Sequence, residues 1–161
     1  MAGFGFVLGL AWLDHPGLTP ALRDTARAMS QENVELVRVA YEAFERGDLE
    51  AVSQLHDPAI EWQTSAEDPD AATHRGRVAV RRYIEGWMET FPGLRAELEE
   101  CVAVPDGKVI TTVRYTGRAR ASGMDMDWRQ SLVYTVQAGL IVRAEEYFDR
   151  DEALEAARPS Q

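Results

Sequence analysis

One cysteine and three histidines supply the side chains most readily put to nucleophilic attack or to proton transfer near neutral pH, namely Cys101, His15, His56 and His74. Cys101 lies in the alternating stretch Leu98-Glu99-Glu100-Cys101-Val102 with no base beside it, so it reads as a small hydrophobe packed in a strand. His74 precedes Arg75-Gly76 at the edge of a polar loop, where imidazole could either move a proton or cap the helix that follows. His15 and His56, the latter read as ending a second helix, have no ligand partner at metal-binding spacing, and a lone cysteine cannot assemble a thiolate site, so no metal is expected. The acids Asp149, Asp151, Glu152 and Glu155 lack the glycine and ligand alternation of a calcium loop and suit the positive start of a helix. Arg75, Arg77, Arg81 and Arg82 could meet an anionic ligand, or form the wet face of another helix.

These residues belong to a chain of 161, long enough to bury a core in one domain without disulfides. With 45% hydrophobic and 27% charged residues it has a globular composition, and a formal charge of −10 without a basic stripe disfavours nucleic acid and anionic membranes. The absence of possible internal disulfides suits the cytoplasm. Residues 1–28 stand apart. Their apolar run from Phe4 to Leu13 is too short to cross a membrane and lacks a basic region before it. We expect them to be a disordered or mis-assigned leader, with the domain occupying 29–158 and Ser30 capping its first helix.

Val34, Val37, Tyr41 and Phe44 then recur at helical spacing until Gly47, and Asp48 caps a short helix carrying Leu49, Val52 and Leu55. A strand is expected over Ile60 to Gln63, a surface loop over Thr64 to Thr73, and a helix from Arg77 to Phe91 ended by Pro92-Gly93. Four strands follow, Arg95 to Val104, Lys108 to Ala121, Met126 to Val136 and Leu140 to Phe148, joined by tight turns as an antiparallel meander; Asp149 caps a terminal helix, Arg150 to Ala157. Three helices followed by a long curved sheet define an α+β class.

The run Glu32 to Arg38, Tyr41-Glu42-Ala43-Phe44, Arg46-Gly47-Asp48-Leu49, Asp57-Pro58 before Ile60-Glu61-Trp62, Arg75-Gly76-Arg77, and Glu146-Tyr147-Phe148-Asp149 resemble, in order, SnoaL-like members of the NTF2-like superfamily. The resemblance implies a sheet curled into a cone, closed by helices, with a small-molecule pocket at its open end and a homodimer formed through the outer sheet face. It implies no particular reaction, because the fold hosts many.

Within that resemblance, Val113-Arg114-Tyr115-Thr116 is similar to the strand of limonene-epoxide-hydrolase-like members that carries an Arg and, two residues on, an Asp; Arg114 matches the first and Thr116 replaces the second. Glu146 matches the other acid in role. If both charges face the cone, Arg114 stabilises negative charge while Glu146 moves a proton, or the two merely form a buried ion pair. A ketosteroid-isomerase-like site is disfavoured, since its tyrosine and two acids fall at Ala40 (with Tyr41 one step off), Gln63 and Leu132. His74 is a third catalytic candidate. Trp62, Tyr83, Trp87 and Tyr134 are expected to line the cavity with Thr116, Gln130 and Leu132, and Trp128 completes the aromatic inventory. The expected ligand is a small hydrophobic carbonyl, hydroxyl or epoxide compound handled without a cofactor; the alternative is a non-catalytic binding or dimerisation module.

Overall fold

The computed structural model describes residues 11–159, so most of the apolar run from Phe4 lies outside the described residues. A short 3-10 turn, Ala11–Asp14, leads to helix α1, Pro20–Glu45. This helix begins ten residues before the expected cap. Thr19 is the N-cap, its hydroxyl accepting from the Leu22 amide, and Pro20 occupies the first turn, where a missing N–H costs nothing. Ser30 lies buried inside the helix instead, because Ala21 to Met29 contains good helix formers with no glycine or proline to stop it.

Helix α2, Leu49–Gln54, is capped by Asp48, whose carboxylate accepts from the Ala51 amide at 3.1 Å. It ends before His56, which opens strand β1, His56–Gln63, rather than closing the helix. Pro58 fits inside β1 because it falls where the register shifts between His56 and Glu61, so no ladder bond is lost. The polar loop is followed by a short strand β2, Thr73–Arg75, and by helix α3, Arg77–Thr90. Strands β3, Arg95–Val104, β4, Lys108–Arg118, β5, Asp125–Gln137, and β6, Leu140–Tyr147, form the expected meander, and helix α4, Arg150–Ala156, ends the fold. The sheet has six strands in the order β2-β1-β6-β5-β4-β3, with β1 parallel to β6. Among the described residues, no helix is long and apolar enough to cross a membrane.

The sheet is curved and unclosed, and three register shifts mark where it bends: between His56 and Glu61, between Leu98 and Glu100, and between Thr135 and Val136. The shift at Glu99 also reverses which residues of β3 face inward. Ala96 and Leu98 precede it in the inner core, whereas Cys101 and Ala103 follow it there, leaving Val102 for the outer face. The inner core joins α1 (Val34, Val37, Tyr41) and α3 (Val80, Ile84) to Ile60, Val109, Val113, Leu132 and Ile141 of the concave sheet. A second, smaller core lies outside, where α4 lays Ala153 and Ala157 over Val102, Ile110 and Val133.

The β3–β4 hairpin depends on one position. Gly107 adopts φ 71°, and a Cβ there would stand 2.8 Å from the Val136 carbonyl oxygen, which belongs to the neighbouring strand. Gly107→Ala is therefore expected to lower unfolding free energy by about 2 kcal/mol, from backbone strain plus the clash. Urea denaturation measures it, and a neutral result would mean that the turn relaxes.

Candidate functional site

Alternation along β6 puts Ala144 and Glu146 on the concave side, while Arg143 and Glu145 pair with each other on the convex side. Glu146 is 5% exposed. Its Oε2 accepts from the Trp62 Nε1 at 2.6 Å and from the Tyr83 hydroxyl at 2.8 Å, and its Oε1 accepts a longer bond, 3.5 Å, from the Gln130 Nε2. Among the described residues no cation pairs with it. Burial pushes its carboxyl above the ordinary glutamate range, with the nearby Asp68 adding to the effect, while the three donors pull the other way.

The elements that supply those donors are interlocked. Trp62 of β1 sits beside Ala144 of β6 in parallel register, and Leu132 of β5 is opposite Glu146, so the indole and the carboxylate meet across adjacent strands. Tyr83 arrives from α3. His74 stacks on its ring at 4.4 Å between centroids, holding Tyr83 from behind. A second polar group lies further round the wall, where the Tyr41 hydroxyl is 2.6 Å from the Tyr134 hydroxyl and 3.2 Å from Thr111 Oγ1. Three hydroxyls carry three hydrogens and these two contacts use two, which leaves one O–H free to donate elsewhere. Burial pushes both phenols well above their usual range, so they stay protonated.

Between these groups is a cavity with about 670 Å³ of atom-free space, its open mouth included. Its polar walls are Glu146, Gln130, Tyr41, Tyr134 and His56, and the rest is aliphatic or aromatic. Trp87 in the last turn of α3 stacks on Trp128 of β5 at 5.8 Å, and Trp128 on Tyr115 at 5.3 Å, giving a ladder of flat faces.

Trp62, Tyr83, Trp87, Gln130, Tyr134 and Glu146 thus come together as the sequence predicted. Arg114 and Thr116 do not. Val109, Thr111, Val113 and Tyr115 are the inward residues of β4, so Arg114 and Thr116 face outward, and Arg114 forms a two-bond fork with Asp127 at 2.9 and 2.6 Å on the outer surface. Leu132 points inward but is packed in the core without reaching the cavity wall. His74 contributes support to Tyr83 and does not line the cavity. Cys101 is buried, its thiol pushed up to about 12 by burial, and it packs as a core residue.

The reading of residues alone missed Tyr41, Tyr115 and His56. For Tyr41 a signal existed, since it shares the buried helical stripe with Val34 and Val37. For Tyr115 the signal was strand parity: an Arg and two threonines alternate with Val109, Val113 and Tyr115, and the less polar set belongs inside. His56 was hidden by the wrong helix boundary. Among the described residues, no group of three His, Cys, Asp or Glu side chains is gathered for a metal ion.

With this geometry in view, residues 37–144 match the family model described as a SnoaL-like domain. The chain belongs to the SnoaL-like family of the NTF2-like superfamily. It is 30% identical over 125 residues to the uncharacterized protein Rv0034 of Mycobacterium tuberculosis, an alignment covering 77% of this chain and 94% of that one. It is similar to a crystallised NTF2-like protein of Burkholderia thailandensis, with a TM-score of 0.66 and 30% identity over 79% of this chain and 98% of the other. Bal32a, from a soil-derived mobile gene cassette, superposes with a TM-score of 0.69 at 26% identity, covering 81% of this chain and 99% of that one.

His56 gives this SnoaL-like domain a specific acid sensitivity. Burial first, and the Arg77 charge second, lower its pKa from 6.5 to about 4. The unfolded chain therefore binds more protons between those values, and the stability from a neutral ring is full above pH 6.5 and lost as pH falls to 4, about 3 kcal/mol in all. In His56→Gln that component is absent. The difference in unfolding free energy between the native chain and this variant should shrink by that amount across the interval, as read from urea titrations; a pH-independent difference would show that the imidazole is not held neutral.

Proposed function

We propose that the cavity binds a small hydrophobic carbonyl compound and moves a proton on it, in the manner of a cofactor-independent isomerase or cyclase. The observation that carries this reading is Glu146, a buried carboxylate in the cavity wall with neutral donors and, among the described residues, no cation beside it.

In its ionised form Glu146 takes a proton from the carbon next to the ligand carbonyl, and returns it at another position. The raised pKa makes it a stronger base than an exposed glutamate. Negative charge then develops on the carbonyl oxygen. Arg114, turned outward, cannot meet it; when Thr111 donates to Tyr41, the spare O–H falls on Tyr41 or Tyr134 and can meet it, in a dry wall where a dipole acts strongly. The aromatic ladder holds the apolar body. Loss of Arg114 from the cavity also removes support for epoxide opening. One observation favours a second reading, a binding module without turnover: the Glu146 oxygens are already occupied by three protein donors. A homodimer through the outer sheet face remains part of the proposal, and it would be built on ion pairs such as Arg114–Asp127 and Arg129–Glu99 rather than on an apolar patch.

The test needs no natural substrate. Hydrophobic ketones such as tetralone are incubated with the protein in D2O and deuterium uptake beside the carbonyl is read by mass spectrometry. The native chain is expected to catalyse uptake, with a rate that rises with pH to a plateau whose midpoint lies above the ordinary glutamate range, because the ionised form is the base. Glu146→Gln should lower the rate by about 100-fold or more. Arg114→Ala should leave it unchanged, since the exposed Arg114–Asp127 pair contributes little to the fold. Full activity in the first variant, or loss of activity in a folded second, would overturn the assignment, and ketone binding without any uptake would select the binding module.

A further inference from the structure

Tyr115 brings to the cavity a hydroxyl that the proton chemistry above leaves without a task. Its ring is half-buried in the wall and stacks on Trp128 at 5.3 Å between centroids. Among the described residues its Oη has no hydrogen-bond partner, yet it is not sealed away: the side-chain nitrogens and oxygens that are both buried and unpartnered there are Arg23 Nε and His56 Nδ1. The neighbouring hydroxyl of Tyr41 makes its bonds to Tyr134 and Thr111 instead. An uncommitted O–H in a mostly apolar wall is a donor without an acceptor, and the acceptor has to come from what fills the cavity.

Its surroundings fix what it can meet. Burial first, then Tyr41, Glu146 and Tyr83 in turn, push the Tyr115 phenol well above its usual range, so it stays protonated near neutrality and its hydroxyl feels groups that all line the cavity. The sheet gives the separation from the base. Glu146 of β6 is opposite Leu132 of β5, Leu132 is opposite Thr111 of β4, and Tyr115 is four residues further along β4 on the same inward side. Two strands across and four residues along make roughly 16 Å between backbones in a flat sheet, and the curvature of this one shortens it. Both side chains reach into the hollow across that interval, the base from β6 and the phenol from β4, with space between them for a carbonyl group and the carbon beside it.

We infer that the Tyr115 hydroxyl donates to the carbonyl oxygen of the ligand and is a catalytic residue of the proton transfer. The inference rests on the proposed carbonyl chemistry at Glu146, and it adds a second donor to the spare O–H of Tyr41 or Tyr134. Two donors match the two lone pairs of one carbonyl oxygen. Both bonds strengthen as Glu146 takes the proton, the C–H electron pair moves into the C–C bond and the C=O pair moves onto oxygen. Return of the proton from Glu146 to carbon reverses these shifts, the Tyr115 proton stays on its own oxygen throughout, and no co-reactant is consumed.

Tyr115→Phe keeps a ring on Trp128 and removes an oxygen to which no described residue is bonded. With tetralone in D2O, deuterium uptake at saturating ketone should fall about 100-fold in this variant. The dissociation constant of the ketone, read from quenching of the cavity tryptophans, should change by less than about tenfold. A purely structural role would weaken binding and rate together. In isotope-edited infrared spectra, the stretch of carbonyl-13C tetralone should stand at higher wavenumber when bound to Tyr115→Phe than to the native chain, since one hydrogen bond is gone. A measurement on the native protein holds whether or not the variant folds: the Tyr115 13Cζ resonance should differ between the complexes with tetralone and with tetralin, which has the same body without the oxygen. Native-rate uptake in folded Tyr115→Phe, an unshifted stretch, or one 13Cζ position for both ligands would overturn the role of Tyr115, and Glu146 stands as the base if Glu146→Gln still lowers uptake. No uptake by the native chain would instead sink the carbonyl chemistry, and this inference with it.

Discussion

A carboxylate taken out of water without a cation has two ways to survive, protonation or a shell of donors, and Glu146 is poised between them. Trp62 Nε1 and the Tyr83 hydroxyl stabilise the charged form, and burial opposes it. Much of the concave side is arranged around this balance. The parallel β1–β6 pairing brings the indole to the carboxylate, α3 brings the phenol, and β2 brings His74 to stack behind that phenol. Moving any of these elements by one residue would turn a donor away and leave the acid protonated and inert.

The remaining charges show what is distinctive about that arrangement. On the convex face arginines meet acids in forks or short contacts, as at Arg114–Asp127, Arg129–Glu99 and Arg150–Glu100. Such partly exposed pairs contribute little each to stability, but they fix side chains to one side of the sheet. Among the described residues no guanidinium group lines the cavity, and with His56 neutral the full charge its wall carries is that of Glu146. A base facing neutral donors keeps its proton affinity; the same base facing Arg114 would have lost it. The outward turn of Arg114 is thus consistent with acid-base use of the cavity, although it removes the group first expected to stabilise negative charge.

The α+β class, the meander, the order of elements and most aromatic wall residues were legible in the sequence, because each rests on a local signal: helical stripes, glycine turns, capping acids and an ordered set of family-like motifs. Three things were not. The start of α1 was misread because Ser30 is a good cap in isolation, and only the helix-forming stretch before it shows that no cap is needed. The β1–β6 pairing joins residues more than eighty positions apart, as Trp62 and Ala144 do, and leaves no local trace. The inward face of β4 was assigned from the family resemblance of Arg114, and a one-residue error in parity reverses every side chain on a strand.

That parity error also explains why the tyrosine pair was overlooked. With Arg114 inside, the oxygen-binding role was filled, and strand alternation would turn Thr111 to the outer surface. With Thr111 inside, it meets the Tyr41 hydroxyl, which in turn meets Tyr134, and the three form a chain in which each O–H can pass its polarisation to the next. A chain of neutral hydroxyls suits this cavity better than a guanidinium. It donates to a developing oxyanion without lowering the proton affinity of the base opposite, and it costs far less to bury when the cavity is empty. The same logic extends to His56, which burial keeps neutral until the pH falls to about 4: near neutrality the cavity polarises and orients through dipoles, with Glu146 as its carboxylate base.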